Sequence, residues 1–175
     1  AIFLLAATAW PCAAPAEVTY DPATKVFRLS GGKSEYALGV DPNGYLQSLY
    51  WGAQLGDGAP LARQLTAPQS SQLYSHDVPG SSIDQEYPGQ GGGLYTDPGL
   101  KVVFPDGNRD LVLKYVSHAI ADDTLTVELA DIDRPVSVTL TYMVDPVTGI
   151  VARSAAVHNK GKTPVRIDQM SSATF

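Results

Sequence analysis

Three histidines could ligate a metal or carry a proton: His76, His118 and His158. No two share an element at a ligand spacing, so the sequence supports no zinc site and implies no metal or other cofactor. His118 and His158 fall late in strand-like runs, where a hydrogen-bonded structural role is expected. Carboxylates are more plentiful: Asp57, Asp77, Asp84, Glu86, Asp97, Asp106, Asp110, Asp122, Asp123, Asp131, Asp133, Asp145 and Asp168. Most stand in turns, where Asp is favoured because it accepts bonds from its own backbone. Two carboxylates facing a sugar could form a glycosidase pair, but the spacing selects no pair. The serines lack the G-x-S-x-G elbow of a nucleophile. The glycine run 89–93 is no phosphate cradle, since neither a Lys nor a Ser/Thr follows it and no helical pattern begins there. It reads as a tight surface turn using positive φ. No self-contained active site emerges.

Composition narrows the class. The chain has 175 residues, 16 Gly and 13 Pro, with only 17% charged residues, which favours a β sandwich or barrel over a helical bundle. That length suits one well-filled domain. The net charge is −6, and the basic residues Lys101, Arg109, Lys114, Lys160, Lys162 and Arg166 are scattered, so a nucleic-acid partner is not expected. Cys12 is the sole cysteine, so the fold must rest on its core without disulfides or thiolate metal sites. Residues 1–16 hold a short apolar run around Ile2–Leu5, too short for a membrane span, and end in the small-x-small step Ala14-Pro15-Ala16. They read as the remnant of a signal peptide, which implies secretion and leaves 17–175 as the folded domain.

The positioning elements are strands. The segment 45–52, Y-L-Q-S-L-Y-W-G, has apolar or aromatic residues on both alternating faces, which predicts a strand covered on both sides with Trp51 in the core. A buried Trp51 would make Trp51→Ala cost about 3–5 kcal/mol. Strands over 26–30 and 34–40, separated by Gly31-Gly32, precede it, and the Asp41-Pro42-Asn43-Gly44 turn leads into it. From 53 to 99 the alternation collapses into a long Gly/Pro-rich loop, a kind that more often serves a function or an interface than none. Alternation resumes at 100–104, 111–121, 124–130, 136–143, 150–158 and 163–175, with a hairpin corner at Asp122-Asp123. Leu111, Leu113, Tyr115, Ser117 and Ala119 are expected on one face.

The order F-R-L-S, S-E-Y-A-L-G-V, G-Y-L-Q-S-L-Y-W-G, E-Y-P-G-Q-G, V-T-L-T-Y-M-V and I-V-A-R-S-A-A-V-H-N-K-G resembles the N-terminal domain of glycoside hydrolase family 36 α-galactosidases, the melibiase type. The motif residues carrying it include Tyr50, Trp51, Gly52, Glu86, Tyr87, Pro88, Arg153 and Asn159. The resemblance covers roughly 18–175, nearly all of the chain after the signal-like segment. It implies an all-β antiparallel supersandwich of the galactose-mutarotase-like kind, followed beyond 175 by a (β/α)8 barrel carrying both catalytic aspartates. It further implies retaining cleavage of terminal α-galactosides and a homotetramer. In such a tetramer the long loop, here with Asp57 and Arg63, reaches a neighbour's active site. Two departures bear on that loop: Ala62 stands where an acidic residue could accompany the basic one, and 94–99 read Leu-Tyr-Thr-Asp-Pro-Gly.

A second reading of the same residues is a stand-alone carbohydrate-binding or structural sandwich, with Tyr74, Tyr87 and Tyr95 as exposed platforms for sugar faces. In the first reading Trp51-Gly52 is the hinge between core and interface.

Overall fold

The computed structural model describes residues 17–56, 59–61, 65, 84–91 and 97–173. The expected signal remnant 1–16 lies outside them, as do Asp57, Ala62, Arg63, Tyr74, His76 and Tyr95. Among the described residues ten strands follow in order: β1 (Glu17–Asp21), β2 (Val26–Gly31), β3 (Ser34–Val40), β4 (Leu46–Ala53), β5 (Leu100–Val103), β6 (Leu113–Ala121), β7 (Thr124–Asp131), β8 (Val136–Val144), β9 (Val151–Asn159) and β10 (Arg166–Met170). They form two four-stranded antiparallel meanders, β1-β2-β3-β4 and β6-β7-β8-β9, and a two-stranded ladder of β5 with β10.

Short turns fix the meanders. Gly44 takes φ 83° at the end of the Asp-Pro-Asn-Gly turn. Asp41 stabilises that turn, its carboxylate accepting the N–H groups of Asn43 and Tyr45 at 2.8 Å and the Gln47 amide at 3.0 Å. Asp122 enters the left-handed region at φ 51° in the β6–β7 hairpin, a conformation Asp tolerates better than most residues.

Alternating apolar side chains of the two meanders face each other across one core. Phe27, Leu29, Leu38 and Val40 from the first meet Leu125, Val127, Val138, Leu140 and Tyr142 from the second. On the outer side of the first sheet a smaller cluster, Val26, Ala37, Leu61 and Leu65, packs with Leu49, Tyr50 and Leu55. The first sheet is therefore covered on both faces at its centre.

Two bulges correct the expected faces. In β4, Leu38 pairs with Ser48 and Ala37 with Tyr50, so Leu49 is the extra residue. The two-residue period breaks there. Tyr50 lands opposite Ala37, against the outer cluster, and Trp51 lands opposite Tyr36, at the rim between the sheets. Tyr45, Leu46 and Gln47 are buried as anticipated, but Trp51 is 70% exposed, so it is not a core anchor. In β6 the register shifts between Tyr115 and Ser117, so strict alternation through Ser117 and Ala119 fails. His118 turns inward instead, its ring 4.3 Å from Tyr20 and 4.9 Å from Phe27, with Nδ1 2.6 Å from the Tyr115 hydroxyl.

Candidate functional site

The segment 84–91 joins the sheets. The Ser48 N–H donates to the Asp84 carbonyl and the Glu86 N–H to the Leu46 carbonyl, which lays 84–86 along β4. Next, the Gly99 N–H donates to the Pro88 carbonyl, the Gln90 N–H to the Leu100 carbonyl and the Leu111 N–H to the Gln90 carbonyl. The backbone thus passes from the first meander to β5 and to the approach of the second. Gly89 and Gly91 are described, and neither has positive φ. Their requirement is contact: a Cβ on Gly89 would overlap the Leu111 carbonyl, and one on Gly91 would overlap Asp110 and the Leu111 N–H. At Gly89 and Gly91 the run is therefore not the positive-φ surface turn that its composition suggests, and Gly92 and Gly93 lie outside the described residues.

This path drives Glu86 into the core, where it is 2% exposed. The Tyr36 hydroxyl donates to its carboxylate, 2.8 Å from both oxygens, and the Tyr142 hydroxyl donates at 3.0 Å. Arg153 Nη1 lies 2.6 Å from Glu86 Oε1, and Nη2 donates to the Glu86 carbonyl at 2.7 Å. The Arg153 side chain is only 10% exposed and stacks 5.5 Å from the Tyr142 ring centre. Burial raises the Glu86 pKa, while Arg153 and the hydroxyls of Tyr36, Tyr142 and Ser48 pull it down. Burial and then the neighbouring carboxylate push both phenols up, Tyr142 well above the usual tyrosine value. One residue on, Tyr87 is 2% exposed, its hydroxyl within bonding distance of the Gly99 and Ser171 carbonyls. It cannot be the exposed sugar platform that its loop context allows. Pro88 is buried beside it and needs no N–H partner.

The node is built for fixing structure. A general acid must come within about 3 Å of a substrate proton. Glu86 is closed off on every described side by its own partners. Outside it lies an open cleft of about 470 Å³ lined by Ser34, Tyr36, Trp51, Tyr142, Ile150 and Arg153 among others. Trp51 and Ile150, 66% exposed, stand at its mouth. Gly52 follows at the strand's end, where a Cβ would strike the Tyr50 ring.

Sequence reading picked out Glu86, Tyr87 and Pro88 as a motif but did not connect them with Tyr36, Tyr142 and Arg153. The available signal was the pairing of inward Tyr positions on two strands with a single Arg on a third. Glu35 was missed altogether: it is 1% exposed, bonded to Arg28 at 2.6 Å and to the Leu55 N–H at 3.0 Å. Asp57 and Arg63 lie outside the described residues. His158 lies with Nε2 3.1 Å from the Thr139 hydroxyl. Among the described residues no group of three His, Cys, Asp or Glu could hold a metal ion.

Known proteins resemble this chain in sequence and fold. The profile of the glycosyl hydrolase family 36 N-terminal domain matches residues 44–175. The alpha-galactosidase AgaA of Geobacillus stearothermophilus is 29% identical over 171 residues, spanning 82% of this chain and 23% of AgaA. Alpha-galactosidase Mel36A of Lactobacillus acidophilus is 26% identical over 182 residues, spanning 89% of this chain and 24% of Mel36A. The crystal structure of the family 36 alpha-galactosidase AgaB of G. stearothermophilus superposes with a TM-score of 0.74 at 25% identity, covering 90% of this chain and 24% of AgaB. This chain therefore spans about a quarter of the length of the relatives it matches. It belongs to glycosyl hydrolase family 36, as an N-terminal domain of that family.

Proposed function

We propose that this chain is the non-catalytic N-terminal portion of a secreted α-galactosidase that hydrolyses terminal α-D-galactosides of the melibiose and raffinose type with retention. The observation that carries this reading is the continuous family match over 44–175, joined to relatives that are α-galactosidases by name. The two carboxylates such cleavage needs belong to a barrel outside this chain, and the reaction calls for no cofactor. The closed Glu86 node fits a supporting role. The domain shapes the cleft of the barrel and contributes to assembly, with the loop that holds Asp57 and Arg63 facing a neighbour in a homotetramer. Secretion rests on the signal-like 1–16.

The test is hydrolysis of 4-nitrophenyl α-D-galactoside by the full-length protein, with the anomer of released galactose followed by NMR. Turnover giving α-galactose first is expected, as is none from 17–175 alone. A full-length protein inactive on α-galactosides, or a 17–175 segment whose turnover vanishes on one Asp substitution, would overturn the reading.

A further inference from the structure

The outer face of the first sheet carries polar side chains in a fixed array. β1 and β2 pair Thr19 with Arg28 and Asp21 with Val26, and directly paired residues share a face. Val26 belongs to the smaller apolar cluster with Leu61, so these four side chains stand on the face turned away from the main core. There the sheet and the segment 59–61 enclose a pocket of about 400 Å³. Val26 and Leu61 supply apolar wall, and Thr19, Asp21, Thr24 and Arg28 supply polar groups. A space of that size, largely apolar with a few convergent polar groups, is what small-molecule sites provide.

The polar groups are positioned in advance. Arg28 Nε lies 2.6 Å from Oε1 of Glu35, which is 1% exposed and whose other oxygen accepts the Leu55 N–H. The Asp21 carboxylate accepts the Thr24 hydroxyl at 2.6 Å and the Ala23 N–H at 2.9 Å. Those bonds, the Thr24 hydroxyl foremost, hold its carboxyl below the usual carboxylate range and keep it charged at neutral pH. Groups fixed in this way bind a ligand with little ordering cost. Asp21 and Arg28 sit diagonally across the strand pair, a backbone separation of about 7–8 Å. One sugar ring with its hydroxyls can bridge that span.

Charge selects the class of ligand. The lining holds one cation, Arg28, and one anion, Asp21. An anion drawn to Arg28 meets Asp21, and a cation drawn to Asp21 meets Arg28, so either gains little. A hydroxyl compound uses both groups, because one hydroxyl donates to the carboxylate while another accepts from the guanidinium. The two threonine hydroxyls can do either. A plain hydrocarbon would leave these polar groups without partners once water is displaced.

We propose that the pocket between β1, β2 and the segment 59–61 binds a neutral sugar, its hydroxyls bridging Asp21 and Arg28 and the C–H face of its ring set against the wall of Val26 and Leu61. The site lies on the opposite face of the first sheet from the Glu86 node, and it does not rest on the enzymatic reading of the chain.

Saturation-transfer NMR on the full-length protein tests it, with D-glucose, D-galactose and D-mannose as neutral probes and D-glucuronate and D-glucosamine as charged ones. At least one neutral sugar should bind with a millimolar Kd, and both charged sugars more weakly. Asp21→Asn should weaken the neutral sugar about tenfold, the loss of a charge-assisted hydrogen bond. Asparagine keeps the turn, since its side-chain oxygen accepts the same N–H. Thr19→Trp, on an exposed strand position opposite Arg28, should fill the pocket and abolish binding. Each variant decides independently of the other. No transfer to any neutral sugar overturns the proposal, as does binding that both variants leave unchanged, which would place the sugar elsewhere. Glucuronate or glucosamine binding as tightly as the neutral sugars overturns the choice of ligand class.

Discussion

Glu86-Tyr87-Pro88 and Tyr50-Trp51-Gly52 are both short motifs mixing aromatic residues with residues of special backbone or charge. The first, inside a stretch that reads as loop, is buried almost completely. The second, inside a stretch that reads as core strand, ends at the rim with Trp51 exposed. Backbone pairing explains the inversion. Residues 84–86 add to β4 and carry polar Glu86 inward, where two phenols and a guanidinium satisfy it. A single extra residue in β4 swaps the faces of Tyr50 and Trp51. Hydropathy alone therefore ranks the two stretches in the wrong order.

The largest expected effect is at the buried node. Arg153→Leu leaves the Glu86 carboxylate without its cation and should cost about 3–5 kcal/mol, measured by chemical denaturation. Loss below about 1 kcal/mol would mean that the pair is not desolvated. Gly89→Ala forces a methyl group against the Leu111 carbonyl and should cost about 1–3 kcal/mol. A neutral result would show that 84–91 can move away from β6.

Tyr36→Phe removes one donor to Glu86 and should cost about 1–2 kcal/mol near neutral pH. The same hydroxyls impose a pH dependence with a definite sign. The folded pKa values of Tyr36 and Tyr142 are raised, so their contribution is fully present below the unfolded tyrosine value and is lost as pH rises through the folded one. Stability should fall as pH rises above about 10, where unfolded tyrosine ionises. Tyr142→Phe should flatten that fall, and an unchanged slope would assign it to other groups. The smallest effect is at the rim: Trp51→Ala in the 17–175 segment should cost less than about 1 kcal/mol. A cost near 3–5 kcal/mol would restore the core assignment that its strand context suggests.

The meanders were legible because Leu125 to Leu129 and Val136 to Tyr142 alternate cleanly, and because Asp41–Gly44 and Asp122-Asp123 mark their turns. Strand ends fell within a residue or two, except in the last strand, expected over 163–175 and found at Arg166–Met170. What stayed hidden depends on long-range pairing. The bulges at Leu49 and Val116 leave no compositional mark, yet they decide the faces of Trp51 and His118. Tyr36, Tyr142 and Arg153 stand 50, 56 and 67 positions from Glu86 in sequence. Only the ordered motif set, compared with a family, hinted that they belong together.

The central claim is that Glu86 and Arg153 lock segment 84–91 across the two sheets. A double-mutant cycle with Glu86→Gln and Arg153→Met, read by denaturant unfolding, tests it most directly. The account predicts a coupling energy of about 2 kcal/mol or more, because either change alone strands its partner in the core. Additive single-variant effects, within about 0.5 kcal/mol, would contradict it.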